Sequence, residues 1–300
     1  MIAPSRSLTD AIGRYRDPWG SSHSAWSWAG GLVWLSPTTR FEQTLKDIKA
    51  GTPQASEIWT GNATLATLSA DAKRGSFTVT VSDANRLVTG HRVLLKIDDE
   101  RSLGLLRHMA GDVPGAASYD WASRTKLLAH RPFVWPVRIA RVNDRRGTLD
   151  QPLPLDARVS WKARLTTVGP VLTESGVEGL TISVPLTTQR SHLEDEGYNG
   201  LAFQCAWDCW ARDVVVTNAD NGILVVGSKS LTLTGVHVGG RMRHHSYACR
   251  SSRTTGGPAR LQRSPRYPAG QLRYDDRRPA QPVHRATFTA YRIGRFIRNR

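Results

Sequence analysis

Three hundred residues, 39% of them hydrophobic and 22% charged, suffice to bury one large core or two modest ones. No apolar run approaches the ~20 residues that a membrane-spanning helix needs, and the opening "MIAPSRSLTDAIGRYRDPWG" lacks the apolar stretch of a secretion signal. The formal charge of +16 belongs to one end: residues 241–300 hold 15 Arg, no Lys and only Asp275 and Asp276, whereas residues 1–240 hold 26 basic and 23 acidic side chains.

Residues 1–60 begin with a polar segment. In "GSSHSAWSWAGGLVWLS", Trp26, Trp28 and Trp34 surround Gly30-Gly31, which reads as a turn between short strands. In "RFEQTLKDIKAG", Phe41, Leu45 and Ile48 stand at helical spacing before Gly51, so the segment is a short helix or an exposed loop.

Residues 61–165 alternate instead. Phe77, Val79 and Val81, then Val93, Leu95 and Ile97, then Val137 and Ile139 are spaced by two, followed by a turn at Asn143–Gly147 and then Leu149. This pattern predicts a small antiparallel β-barrel or sheet. Its halves are separated by residues 105–132, a long loop or lid.

Residues 166–245 change again. Leu231, Leu233, Val236 and Val238 fall on Cys209, Ala211, Val214 and Val216 after a shift of 22, and on Ser175, Val177, Leu180 and Ile182 after 34 more. Spacing of two puts side chains on one face, and the step of three marks a corner between short strands. A repeat of about 22 residues with one insertion near 185–198 predicts a stacked solenoid, with an antiparallel sandwich as the competing arrangement.

The stretches "VEGLTISV", "CWARDVVVTNADNGILVVGS" and "SLTLTGVHV" resemble coils of the right-handed parallel β-helix of the pectate lyase and polygalacturonase superfamily, above all its exported actinobacterial members. The resemblance covers roughly residues 168–245, and "SAWSWAGGLVWLSP" (24–37) is similar to an earlier coil. Residues 61–165 resemble a β-module that interrupts such helices, with His91 where an acid is usual. The chain shows no complete catalytic signature of pectate lyases or polygalacturonases. The resemblance implies an extracellular protein, an incomplete start to this chain, and binding and cleavage of a polysaccharide by hydrolysis or lysis in a groove along one stacked sheet. Ca²⁺ held by acids beside a uronate is the cofactor it implies. A rival is a non-catalytic carbohydrate-binding or adhesin-like β-helix, as in phage tail proteins.

After Gly240 the pattern stops, and residues 246–300 form a basic tail with five Pro between 258 and 282. Three readings stand: a disordered arm for nucleic acid or another polyanion, a solvated linker, or an out-of-frame reading of GC-rich DNA. The oligomeric state is not legible.

Five residues are candidates for acid–base work: Glu194, Asp195 and Glu196 in "RSHLEDEGYNG", Asp213 at a coil corner, and the outward His237. His192, Tyr198, Trp207, Trp210 and Arg212 are candidates for substrate binding, the Trp rings as platforms for sugars. Asp220 and Asn221 read as turn caps. Cys205, Cys209 and Cys249, even with His244 and His245, match no familiar zinc spacing, so buried thiols are expected and no metal site is assigned.

Overall fold

The computed structural model describes residues 14–16, 22–24, 29–49, 61, 63–99, 103–112, 115, 133–186, 197–240 and 245–250. The fold is mostly β with few helices. Strands β1 (Arg14–Arg16) and β2 (Ser22–Ser24) pair antiparallel; β3 (Val33–Leu35) and helix α1 (Thr38–Lys49) follow. Next come β4 (Thr64–Thr67), β5 (Thr78–Thr80), β6 (Arg92–Ile97), helix α2 (Gly104–Met109), β7 (Phe133–Asn143), β8 (Arg146–Leu149) and β9 (Arg164–Thr167). The remainder is short strands: β10 (Leu172–Thr173), β11 (Gly176–Glu178), β12 (Thr181–Ser183), β13 (Leu201–Gln204), β14 (Ala206–Trp207), β15 (Trp210–Arg212), β16 (Val215–Thr217), β17 (Asn221–Val226), β18 (Thr232–Thr234), β19 (His237–Gly239) and β20 (His245–Arg250). The described residues divide into two units, one within Thr60–Gly169 and the other drawn from both sides of it.

The unit within Thr60–Gly169 is a six-stranded antiparallel sheet in the order β4-β9-β6-β7-β8-β5. Its two edges join: Leu68 bridges Val81, the Ser69 N–H donates to the Thr80 carbonyl at 2.9 Å, and the Ser82 N–H donates to the Thr67 carbonyl at 2.9 Å. The sheet therefore closes into a barrel, which removes its open edges. Val79, Val93, Leu95, Trp135, Val137, Ile139 and Leu165 fill the interior, each 0% exposed. Phe77 departs from the predicted alternation and is 50% exposed. The Ser76 hydroxyl bonds both the carbonyl and the N–H of Thr78, so a local turn interrupts the pleat before the ring can face inward.

Helix α2 is fixed to this barrel by polar contacts. Asp99 accepts the N–H groups of Leu105 and Leu106 at its start. Near its end His108 Nε2 accepts the Asp156 N–H at 3.2 Å, and His108 Nδ1 lies 3.0 Å from Asp112 Oδ2. Nδ1 thus carries the proton, and the ring leans on Trp161 with centroids 5.5 Å apart. Burial pushes the Asp156 carboxyl up, but the Arg74 N–H, Lys73 and Arg158 outweigh it and hold the group below its ordinary value of 3.8. A depressed carboxyl contributes stability above its unfolded value and loses it as pH falls through the folded one. Asp156→Asn is expected to lower stability at neutral pH by about 1–3 kcal/mol. In urea titrations the gap to the wild type should close as pH drops below 3.8, and a gap that persists unchanged in acid contradicts this account.

The other unit is built from parallel pairs. The helical spacing of "RFEQTLKDIKAG" folds as α1, with Ile48 at 0% exposure packed among Ala29, Trp34 and Leu45. Phe41 meets Trp34 edge-on at 4.9 Å, and Thr44 accepts a hydrogen bond from Gln204 at 2.9 Å, which ties the helix to the end of β13. Four parallel sheets follow: β20-β17-β13-β3, β10-β14, β11-β15-β18 and β12-β16-β19. The chain visits them in the same order on each pass. Partners lie 22 residues apart at Trp210 and Thr232, Val216 and Val238, and Leu201 and Ile223, and 34 apart at Val177 and Ala211. Val33 also pairs with Leu201 across the whole barrel segment.

Sharp corners make such short strands fit. Gly179 (φ 63), Asp213 (φ 52) and Gly235 (φ 61) are left-handed at matching positions, as are Glu174 (φ 51), Asp208 (φ 59) and Ser230 (φ 54). Glycine takes this conformation freely, and Asp and Asn take it more readily than most residues. Between corners the inward residues stack: Ala211 beneath Leu233, Ile182 beneath Val216, Phe203 beside Val225. A ladder of buried asparagines runs through the same core. Asn221 Nδ2 donates to Asn199 Oδ1 at 3.0 Å, and Asn199 Nδ2 donates to the Ala29 carbonyl at 3.2 Å. Asp220 accepts the Tyr198 N–H at 2.8 Å.

Candidate functional site

Alternation in β11-β15-β18 turns Val177, Ala211 and Leu233 inward, so Glu178, Arg212 and Thr234 in one row and Gly176, Trp210 and Thr232 in another face out. The Trp210 indole lies against the backbone of Gly176, where a Cβ would sit 2.3 Å from its Cε2 and Nε1. Trp210 Nε1 donates to Glu178 Oε1 at 2.7 Å, and Arg212 Nη2 donates to Glu178 Oε2. One carboxylate therefore fixes an indole and a guanidinium in a single arrangement. The Arg212 hydrogen bond, with that from Trp210, holds the Glu178 carboxyl below the ordinary glutamate range and raises Arg212 in turn. Both remain open to solvent, with 42% of the Glu178 and 57% of the Arg212 side chain exposed.

The neighbouring sheet β12-β16-β19 continues the outer surface. Its outward rows are Thr181, Val215 and His237, then Ser183, Thr217 and Gly239. Thr217 Oγ1 donates to Ser183 Oγ at 3.1 Å, and His237 is exposed. Asp213 occupies the left-handed corner between the two sheets, its carboxylate over the Cα of Gly235.

The candidate residues from the sequence are thus distributed unevenly. Trp210, Arg212, Asp213 and His237 lie on this surface. Tyr198 is half-buried, its N–H bonded to Asp220. Trp207 departs from its expected role: it is 1% exposed, packed with the fully buried Lys229 whose Nζ lies 5.4 Å from its ring, so it has no face for a sugar. His192, Glu194, Asp195 and Glu196 lie outside the described residues, as do His244, most of residues 105–132 and residues 251–300. Cys205 and Cys209 are buried thiols. Burial raises Cys205 despite Arg40 beside it, and Cys209 Sγ donates to the Trp207 carbonyl at 3.6 Å. Among the described residues no group of three or more His, Cys, Asp or Glu is placed to hold a metal ion.

Glu178 is the residue that sequence reasoning missed. Its partners lie 32 and 34 residues downstream, and no local motif marks it. The signal was nonetheless present: the shift that sets Val177 on Ala211 also sets Glu178 beside Arg212.

No family model matches the chain, and no curated protein matches it. Solved structures do. The chain is similar to the tailspike protein gp49 from Pseudomonas phage LKA1, at 12% identity and a TM-score of 0.36 over 65% of this chain and 33% of that one. It is similar to the Gp54 tailspike of Acinetobacter baumannii bacteriophage AP22, solved with an A. baumannii capsular saccharide, at 12% identity and a TM-score of 0.32 over 65% and 34%. It is also similar to the Pseudomonas phage phi297 tailspike gp61, at 12% identity and a TM-score of 0.30 over 60% and 31%. The chain spans about a third of the length of each.

Proposed function

We propose that this chain binds an extracellular polysaccharide on the outer face of β11-β15-β18 and β12-β16-β19, and that these sheets are faces of a right-handed parallel β-helix with coils of about 22 residues. The observation that carries the reading is the Trp210 indole, laid on Gly176 and held at its edge by Glu178. Sugar rings present apolar C–H faces, and a fixed, half-exposed aromatic ring receives them without first being ordered. Beside it stand a planar carboxylate and guanidinium that suit sugar hydroxyls. Stacked strands repeat every ~4.8 Å, so the same kind of surface recurs along the axis and suits an extended polymer.

Glu178 is a binding group in this reading. Its carboxyl is held ionised with both oxygens engaged, so it has no proton to give a leaving group. Acid–base work on a bound chain falls in this proposal to Asp213 and His237, and to Glu194, Asp195 and Glu196.

The test is a panel of soluble bacterial polysaccharides read by tryptophan fluorescence and calorimetry. At least one is expected to bind, and Trp210→Ala is expected to weaken it by about tenfold or more, on the scale of a lost aromatic contact, with the melting curve unchanged. Binding that ignores this substitution refutes the proposed surface.

A further inference from the structure

We infer that this face takes an uncharged polysaccharide and rejects polyuronates, an inference that rests on the saccharide-binding reading above. Among the described residues from Pro170 to Gly240 there are two basic side chains, Arg212 and Lys229, against five acidic ones, Glu174, Glu178, Asp208, Asp213 and Asp220. Lys229 and Asp220 are buried at 0% and 1% exposure and meet no ligand. Among these described residues Arg212 is therefore the exposed cation, and its charge is already answered. Glu178 is bonded to it, and the adjoining Asp213 acts on it as well.

A uronate carboxylate has two ways to approach, and both are unfavourable. It can displace Glu178 from Arg212, but Glu178 also holds the indole through Trp210 Nε1, so the stacking surface is lost with the ion pair. It can instead lie beside the intact pair, where it meets Glu178 and Asp213 as like charges. Like charges close together at a protein surface repel, and a polyuronate brings one charge per sugar. An uncharged sugar avoids both penalties. Its hydroxyls donate to the carboxylates, and its ring faces the indole. The hydroxyl-bearing Thr232 and Thr234 on the next strand add neutral partners of either sense.

The experiment uses the full chain and two sets of probes: uncharged bacterial polysaccharides, and charged uronate polymers including polygalacturonate, whose uncharged methyl ester serves as the control. The expected result is binding within the uncharged set, with an affinity that changes less than about twofold between about 0.05 and 0.5 M salt, as an interaction without net charge requires. Uronate polymers are expected to bind at least about tenfold more weakly, and Asp213→Asn is expected to narrow that gap by about fivefold, since it removes one repelling charge. Should uronate polymers bind the wild type most tightly while Trp210→Ala still abolishes binding, the inference is overturned and the saccharide-binding surface stands. Should no polysaccharide of either set bind, the surface itself is misread and the inference falls with it.

Discussion

Gly176→Ala is expected to abolish saccharide binding while the protein remains folded. The added Cβ sits 2.3 Å from Trp210 Cε2 and Nε1 and 2.5 Å from Cδ1, well inside van der Waals contact. The backbone raises no objection: Gly176 is an exposed strand residue outside the left-handed conformations, so alanine is acceptable there and stiffens the unfolded chain slightly. The indole must therefore swing away. As it goes, Nε1 leaves Glu178 Oε1, and Glu178 and Arg212 lose the third member of their arrangement. A ring that is present but misplaced by about an ångström or more forfeits both the stacking contact and its pre-ordering, so the loss should equal or exceed the tenfold expected of removing the ring. The readouts are binding by calorimetry and the melting curve. Wild-type affinity in Gly176→Ala shows that the position of Trp210 is irrelevant to binding; lost affinity with a collapsed melting curve shows a fold defect instead.

The same local geometry explains what could be read from the sequence. The short parallel strands around residues 209–238 were legible because their inward residues are apolar at a spacing that neither helix nor long strand produces. Helix α1 was half legible, since its apolar period fitted a helix but could not show that Ile48 is buried. The stacking of β3 on β13 was legible only as the likeness of residues 24–37 to an earlier coil; the register of Val33 on Leu201 was not, because the two are separated by the whole intervening segment. Trp207 and Trp210 look alike in the sequence, both close to Cys209, yet Trp207 is buried and Trp210 is only partly so. Alternation does not distinguish them, because the left-handed corner at Asp208 interrupts it between the two; the difference lies in packing, where Lys229 covers Trp207. Glu178 shows the general limit. A site assembled across stacked strands takes its members from different passes of the chain, so it is found by register and not by motif.

Gly200→Ala is expected to be the most damaging single methyl in the parallel sheets. Its Cβ would lie 2.5 Å from the Gly222 carbonyl oxygen and 2.5 Å from Val216 Cγ1. The first neighbour is backbone one strand along the stack, and the second is a core side chain at 0% exposure. Neither can give way cheaply. Gly200 donates its N–H to the Asn221 carbonyl at 2.8 Å and accepts the Val33 N–H at 3.1 Å, so a shift that relieves the methyl stretches hydrogen bonds to both neighbouring strands. It also disturbs the asparagine ladder, because Asn199 and Asn221 immediately precede Gly200 and Gly222. Overpacking a core costs about 1–3 kcal/mol, and strained buried hydrogen bonds add to it, so a loss of about 3 kcal/mol or more is expected. Gly239→Ala is the control, since a Cβ there meets nothing within 4 Å and should move the urea midpoint little. Equal midpoints for the two variants would mean that the strands holding Gly200 and Gly222 are not packed in this register; a large fall for Gly200→Ala alone ties the stability of the unit to the close approach of its stacked backbones.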